Sequence, residues 1–399
     1  MDRFDKLYSD QGNRIEGSAI RAILSVTQQP GIISLAGGLP SDDTIPVEII
    51  AKLANEAILE TPAHALQYSV TEGLLHFRKF LSEWMEKRYG MKYSTDEILI
   101  TTGSQQAIEL TAQMLINPGD SVVIERPTYL AALQIFKKIG ATLIEVDCDN
   151  EGMIPESLEK ILKKNSVKLI YTVPDHQNPA GYELSISRRE TLAALSNTYK
   201  VPLFEDGAYR EIRFSGKPLP PIVKFDDSNH RTILFASTAS KILSPGLRVG
   251  WVFGPKELIN KMALLKQSVD VHTAGLNQEI VYGYLSGGYF ETHLPNIIKL
   301  YKNKAQLMDT MLKEHGSDVF DWHTPNGGLF IWAKTKKKID TTKILPDIVK
   351  KYKVAYVPGA TFFAHNPDKQ TLRLNFSKPT EKQIREGIKR LVQGLVNWR

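Results

Sequence analysis

Between residues 97 and 253 the chain alternates short apolar runs with stretches of helical spacing. The runs are EILITT, SVVIE, ATLIEV, KLIYTV, VPLFED, TILFAS and VGWVF. Most are continuously apolar, as strands buried on both faces are. Strands alternating with helices predict a mostly parallel sheet sandwiched by helices. In such sheets ligands bind beyond the carboxyl ends of the strands, so the residues just after each run matter most.

Upstream, PVEIIAKLANEAIL (46–59) has helical spacing, with Pro46 suited to a first turn. In TEGLLHFRKFLSEWMEKRYG (71–90), Leu74, Phe77, Leu81 and Trp84 share one face. Ser69 and Glu72 have the spacing of a capping box there, and Gly90 suits the C-terminal end. The first 45 residues read as irregular, ending in the loop-like SLAGGLPSDDTIP. A long helix is predicted over 290–316, followed by GGLFIWAK, VAYVPG and TLRLNFS and a terminal helix over 380–398. Short strands mixed with helices predict a smaller α+β domain, with its boundary near 280–295.

A chain of 399 residues is long for one core and predicts two or more domains. With 42% hydrophobic and 24% charged residues the composition is that of a soluble globular protein. The net charge of +6 is spread along the chain, and its densest basic run, KTKKK at 334–338, reads as a solvated loop. No nucleic-acid partner is expected. No apolar run approaches the roughly 18 residues that span a bilayer, so no membrane partner is expected either. The opening MDRFDKLYSD carries acids and no apolar stretch, unlike a secretory signal. Cys148 is the only cysteine, which leaves no internal disulfide or thiolate zinc site and fits a cytoplasmic location.

Four strand ends carry chemistry. EILITT leads to Gly103, Ser104 and Gln105 and then a helical stretch. Free backbone N–H groups at that helix start make a phosphate seat, or a plain N-terminal cap. No GxGxxG and no GxxxxGK[ST] occurs, so the dinucleotide and P-loop readings lose their main support. KLIYTV leads to PDHQNPAGY, where two prolines and a glycine hold Asn178, whose amide can donate to a phenolate-like oxygen or a carboxylate. VPLFE leads to Asp206 and Tyr209. A carboxylate there is costly unless a cation or a donor meets it, though it could simply cap a helix. TILFAS leads to Thr238, Ser240, Lys241 and Arg248. A partly buried lysine near another cation has a lowered pKa, and its neutral amine attacks carbonyls. Arg248 is shaped for phosphate. Taken alone, Lys241 would pass for a surface residue.

Together these parts fit one ligand, pyridoxal 5'-phosphate. Lys241 would hold its aldehyde as a Schiff base, and Asp206 would pair with the ring nitrogen and keep the ring an electron sink. Asn178 and Tyr209 would satisfy the phenolic oxygen. Gly103, Ser104, Gln105, Thr238, Ser240 and Arg248 would take the phosphate.

At these residues the chain resembles the pyridoxal-phosphate enzymes of fold type I, specifically class I/II aminotransferases, over nearly its whole length. The motifs are SKILSPGLRVG, QNPAG, EDGAYRE and TTGSQQAI. ISLAGGLP and ERPTYLAAL bring it closest to the kynurenine/2-aminoadipate branch. The resemblance implies a mostly parallel seven-stranded sheet flanked by helices, with a smaller α+β domain. Its expected divisions are an N-terminal arm with part of the small domain (1–45), a large cofactor-binding domain (46–290) and a C-terminal small domain (291–399). It implies that Tyr129 stacks on the cofactor ring and that Tyr68 reaches the phosphate of a neighbouring subunit, hence a homodimer. It further implies that Arg373 clamps the substrate α-carboxylate together with Asn178, with Gly38 beside the substrate. Ser18 and Arg21, in GSAIRAIL, match a mobile segment over the substrate side chain. Ala180 stands where many relatives have Thr, His176 where an aromatic is frequent, and Thr238 where serine is usual. His176 could touch substrate or pack within its loop.

The activity implied is transfer of an α-amino group to a 2-oxo acid, 2-oxoglutarate foremost, in a ping-pong cycle with Lys241 as general base. A PLP-dependent β-lyase or other non-transaminase on the same fold reuses the same residues and stays open. A ligand-sensing module fused to a DNA-binding domain is the third reading. It fits poorly, because the aminotransferase pattern begins by about residue 15. No metal is expected in the site.

Overall fold

The computed structural model describes residues 4–15, 17, 23, 29–227 and 231–398. The seven apolar runs form one sheet: β1 (Ile98–Thr101), β2 (Ser121–Glu125), β3 (Thr142–Val146), β4 (Val167–Thr172), β5 (Leu203–Asp206), β6 (Ile233–Thr238) and β7 (Gly250–Phe253). Their order across the sheet is β1-β7-β6-β5-β4-β2-β3. Every pair is parallel except those of β7, which runs antiparallel to both β1 and β6.

Alternate residues of each strand feed different cores, which explains the unbroken apolar runs. Leu99, Leu234 and Val252 join one cluster, while Ile98, Ile100, Ile233, Phe235, Trp251 and Phe253 join the other. Both clusters are closed by helices, as burial on two faces requires. These helices include α1 (Val47–Glu60), α2 (Leu75–Tyr89), α3 (Ser104–Leu115), α4 (Leu130–Ile139), α5 (Lys256–Asp270) and α6 (Gly275–Ser286).

A second, antiparallel sheet follows, with β8 (Phe320–Trp322), β9 (Phe330–Thr335), β10 (Val357–Pro358) and β11 (Thr371–Asn375) in the order β8-β9-β11-β10. The long helix α7 (Tyr289–His315) and the terminal helix α8 (Glu381–Val396) pack on it through Tyr301, Met308, Ile388 and Leu391. Thr380 and Gln383 form a reciprocal cap at the start of α8. KTKKK is not wholly a loop: Lys334 and the buried Thr335 end β9, and Lys334 pairs with Asp368 at 2.8 Å.

Two local expectations are corrected. The helix α2 starts at Leu75 without a Ser69–Glu72 box. Gly73 has φ +99°, and a Cβ there would sit 2.3 Å from Ile100 Cγ1, so the chain turns against β1 before the helix can begin. Gln278 of α6 supplies the cap, its Oε1 accepting from Leu74 N at 2.9 Å. The N-terminal region also holds a strand: Ile33–Ser34 pairs in parallel with Val354–Ala355. Its signal is weak because only two residues pair, yet it threads 33–38 along the second sheet toward the first.

Candidate active site

The carboxyl ends of β1, β4, β5 and β6 and the first residues of β7 meet at one edge of the sheet. There Ser104, Gln105, Tyr129, Asp206, Tyr209, Thr238, Ser240, Lys241 and Arg248 line a single cavity. Val173, Ala208 and Pro245 complete its lining. Nothing in their residue types marks these three; the neighbouring motif residues are the only signal.

One end of the cavity is built for an anion. Gly103 has φ +81°, and a Cβ there would lie 2.5 Å from Arg248 Nη2. Glycine thus lets the guanidinium lie against the start of α3, where Nη2 donates to Thr102 O at 3.3 Å. Ser104 and Gln105 open that helix, so their N–H groups lie in the first turn, which has no intrahelical acceptors. Thr238 Oγ1 accepts from Ser240 N at 3.2 Å and lies 2.9 Å from Ser240 Oγ, so the two hydroxyls fix each other.

Lys241 and Asp206 face the same space. Lys241 Nζ donates to Gly38 O at 3.4 Å and lies 5.6 Å from the centre of the Tyr209 ring. Burial pushes its amine down to about 8; Arg373 and Arg248 push the same way and Asp206 opposes them. Asp206 is buried and accepts from Tyr171 Oη at 2.9 Å and from Ala208 N at 3.3 Å. Burial raises its carboxyl to about 6 in spite of those donors. Tyr171 was not a candidate on sequence. A lone tyrosine inside the aliphatic KLIYTV was its only signal, since β4 lies beside β5 only in the sheet.

The third element comes from the second sheet. Arg373, in the middle of β11, is buried and donates through Nη1 to Asn178 Oδ1 at 2.8 Å and through Nη2 to Ala36 O at 3.0 Å. Its guanidinium lies 4.1 Å from the Phe330 ring and 5.0 Å from that of Phe362. Its Nε has no hydrogen-bond partner among the described residues. Asn178 Nδ2 in turn donates to Tyr209 Oη at 3.1 Å. A chain of polar contacts therefore runs from Tyr209 through Asn178 to Arg373, and Gly38 stands beside Arg373. The loop holding Asn178 rests on buried Glu125, which accepts from Thr172 Oγ1 (2.6 Å), Val173 N (3.2 Å) and Gln177 Nε2 (3.1 Å).

Of the described residues named from the sequence, Tyr68 and His176 do not join this group. Tyr68 is 82% exposed and touches His272 edge-on, 6.0 Å between ring centres. Ser18 and Arg21 lie outside the described residues. His176 packs against the turn before β9: it is buried with φ 47°, and its ring lies so close to Gly327 that a Cβ there would be 2.3 Å from Nε2.

The arrangement can seat a phosphorylated aldehyde beside a nucleophilic amine and a carboxylate clamp. Pyridoxal phosphate fits the anion cradle of Arg248 and the first turn of α3, which a Cβ at Gly103 would close, and the buried, unpartnered Arg373 Nε is left for a substrate carboxylate. Residues 30–391 match the family model "Aminotransferase class I and II". The chain is 42% identical over 395 residues to the aromatic-amino-acid aminotransferase 1 of Thermococcus litoralis, covering 98% of this chain and 94% of that one. It superposes on Pyrococcus horikoshii kynurenine aminotransferase, solved in complex with PMP, with a TM-score of 0.94 and 41% identity over 99% and 98% of the two chains. It also matches the α-aminoadipate aminotransferase of Thermus thermophilus, solved with N-(5'-phosphopyridoxyl)-L-leucine, at a TM-score of 0.91 and 33% identity over 98% of each. With sheet order, pocket and likeness in agreement, the chain belongs to the class I and II aminotransferases, enzymes that move amino groups with pyridoxal phosphate.

Proposed function

We propose that the enzyme transfers the amino group of an α-amino acid to 2-oxoglutarate in a ping-pong cycle run by Lys241. The observation that carries this reading is an amine pushed down to about 8 in the same buried space as a guanidinium already fixed by Asn178 and Ala36. When bound, pyridoxal phosphate supplies an aldehyde carbon that takes up the amino group and a ring that draws off the electron pair left at Cα. The chain's own residues do the rest. Gly103, Ser104, Gln105, Thr238, Ser240 and Arg248 would hold the phosphate, Tyr129 would pack on the ring, and Tyr209 with Asn178 would satisfy its phenolic oxygen. Asp206 would pair its negative charge with the ring nitrogen. Arg373 clamps the substrate carboxylate and so fixes the direction of the Cα–H bond. Lys241 Nζ, facing the same space, would take the Cα proton as general base.

The domain divisions at 45 and 290, a cytoplasmic location and a homodimer belong to the same proposal. Exposed Leu66, Tyr68 and Val70 in one segment and Val269 and Val271 in another support the dimer. The Tyr68–His272 contact joins these segments into one apolar surface of the kind that marks an interface. Tyr68 would cross it to the neighbouring phosphate. Gly38 and the segment holding Ser18 and Arg21 would border the substrate side chain. We place aromatic amino acids and 2-aminoadipate among the donors, because the similar enzymes are named for them.

A donor panel of phenylalanine, kynurenine, 2-aminoadipate, leucine and glutamate tests this reading. Parallel-line initial-rate plots with 2-oxoglutarate are expected. Release of ammonia and pyruvate without an acceptor would instead make the enzyme a β-lyase. Arg373→Lys is expected to lower kcat/KM about 100-fold, mostly through KM, because an ammonium cannot replace a bidentate fork. Its cofactor affinity, measured by equilibrium dialysis, should stay unchanged.

A further inference from the structure

Away from this pocket, three side chains that no motif connects converge. His64 sits on a one-turn helix (Pro62–Leu66), His76 at the start of α2 and Glu279 on α6. His64 Nδ1 lies 3.3 Å from Glu279 Oε1, and His76 Nε2 lies 3.3 Å from Glu279 Oε2. The ligand atoms of all three lie within 4.8 Å of one another. The two imidazoles stack with 5.4 Å between centres, and Tyr282 closes over His76 edge-on at 4.6 Å.

Hydrogen bonding accounts for one side of this cluster only, between His76 Nε2 and Glu279 Oε2. Glu279 is 9% exposed, and its Oε1 has no hydrogen-bond partner among the described residues. A buried carboxylate oxygen left so is costly. Charge-assisted N–H···O bonds run at about 2.7–2.9 Å, shorter than both contacts. Around a tetrahedral cation with bonds of about 2.0–2.1 Å, neighbouring ligand atoms are about 3.3–3.4 Å apart. Each nitrogen–oxygen contact has that length, one to each oxygen of Glu279, and a turn of the half-exposed His64 side chain would bring both imidazoles to one carboxylate oxygen.

We propose that His64, His76 and Glu279 bind one first-row transition cation, zinc by preference, with water completing its shell. Two imidazoles and one carboxylate suit zinc, nickel or cobalt; magnesium and calcium take oxygen ligands. The cation would tie both ends of the segment carrying Tyr68 to α6, adding the His64 end to the link that Leu74 N already makes with Gln278.

The test uses tag-free holoenzyme, dialysed against EDTA and then against metal-free buffer. Titration with zinc chloride is expected to show one tight site per chain and a raised thermal midpoint. Cobalt chloride is expected to give the visible absorption of a bound, low-symmetry ion, and magnesium chloride no response. His64→Asn and His76→Asn should each weaken zinc at least about tenfold, the least that even loss of an outer-shell partner costs. Exposed His64 makes the first variant safe to fold, and its cofactor spectrum should match the parent's. Absence of stoichiometric zinc binding, or binding that survives both substitutions unchanged, overturns the proposal.

Discussion

Lys241→Ala is expected to lower turnover by roughly four orders of magnitude or more, at the upper end of what a general base contributes, because the covalent tether is lost as well. The cofactor should then leave on dialysis. The same amine sets a pH dependence. Its pKa is lowered to about 8, so the neutral, nucleophilic form grows as pH rises toward 8 and levels off above it. The rate at which apoenzyme takes up pyridoxal phosphate should therefore climb about tenfold per pH unit below 8 and flatten beyond. At pH 7 the neutral amine is about two orders of magnitude more abundant than in an ordinary lysine. Stopped-flow absorbance of cofactor binding checks this. A rate still climbing at pH 10 would mean that the pocket leaves the amine ordinary.

Asp206→Asn is expected to separate stability from function. Breaking a buried charge pair costs about 3–5 kcal/mol, so kcat/KM should drop by roughly 10²–10⁴-fold. Without cofactor the effect on stability reverses. The carboxyl has its pKa raised to about 6 in the fold, above the 3.8 of an ordinary aspartate. Unfolded chains lose this proton first, so native apoenzyme is progressively penalised between about pH 4 and pH 6 and stays penalised above. Asparagine removes the charge and keeps an acceptor for Ala208 N. Above pH 6 the variant apoenzyme should be more stable than the parent by on the order of 2 kcal/mol, a gain that disappears below pH 4. Thermal unfolding of both apoproteins at pH 4 and pH 7.5 gives the comparison. A variant with parental kcat/KM would remove Asp206 from the chemistry.

The apolar runs alone located all seven strands of the main sheet, because burial on both faces demands uninterrupted apolar residues. The residues after four of those runs likewise named most of the pocket, since the ends of parallel strands must face a common edge. Periodicity carries no direction, so the reversal of β7 came only with the fold. It carries no distant partners either. Gln278 caps α2 where Ser69 and Glu72 had the right spacing, and Tyr171 reaches Asp206 from the neighbouring strand. Arg373 meets Asn178 from 195 residues away because the second sheet docks beside the first. The amine of Lys241 shows the division most sharply. Its identity and its place after a strand are written in the chain, but its lowered pKa follows from burial and the approach of two arginines. Local patterns record which residues avoid water and which turns the backbone takes. Contact distances and the loss of solvent around a charge belong to packing between distant segments, and those decide what the site can do.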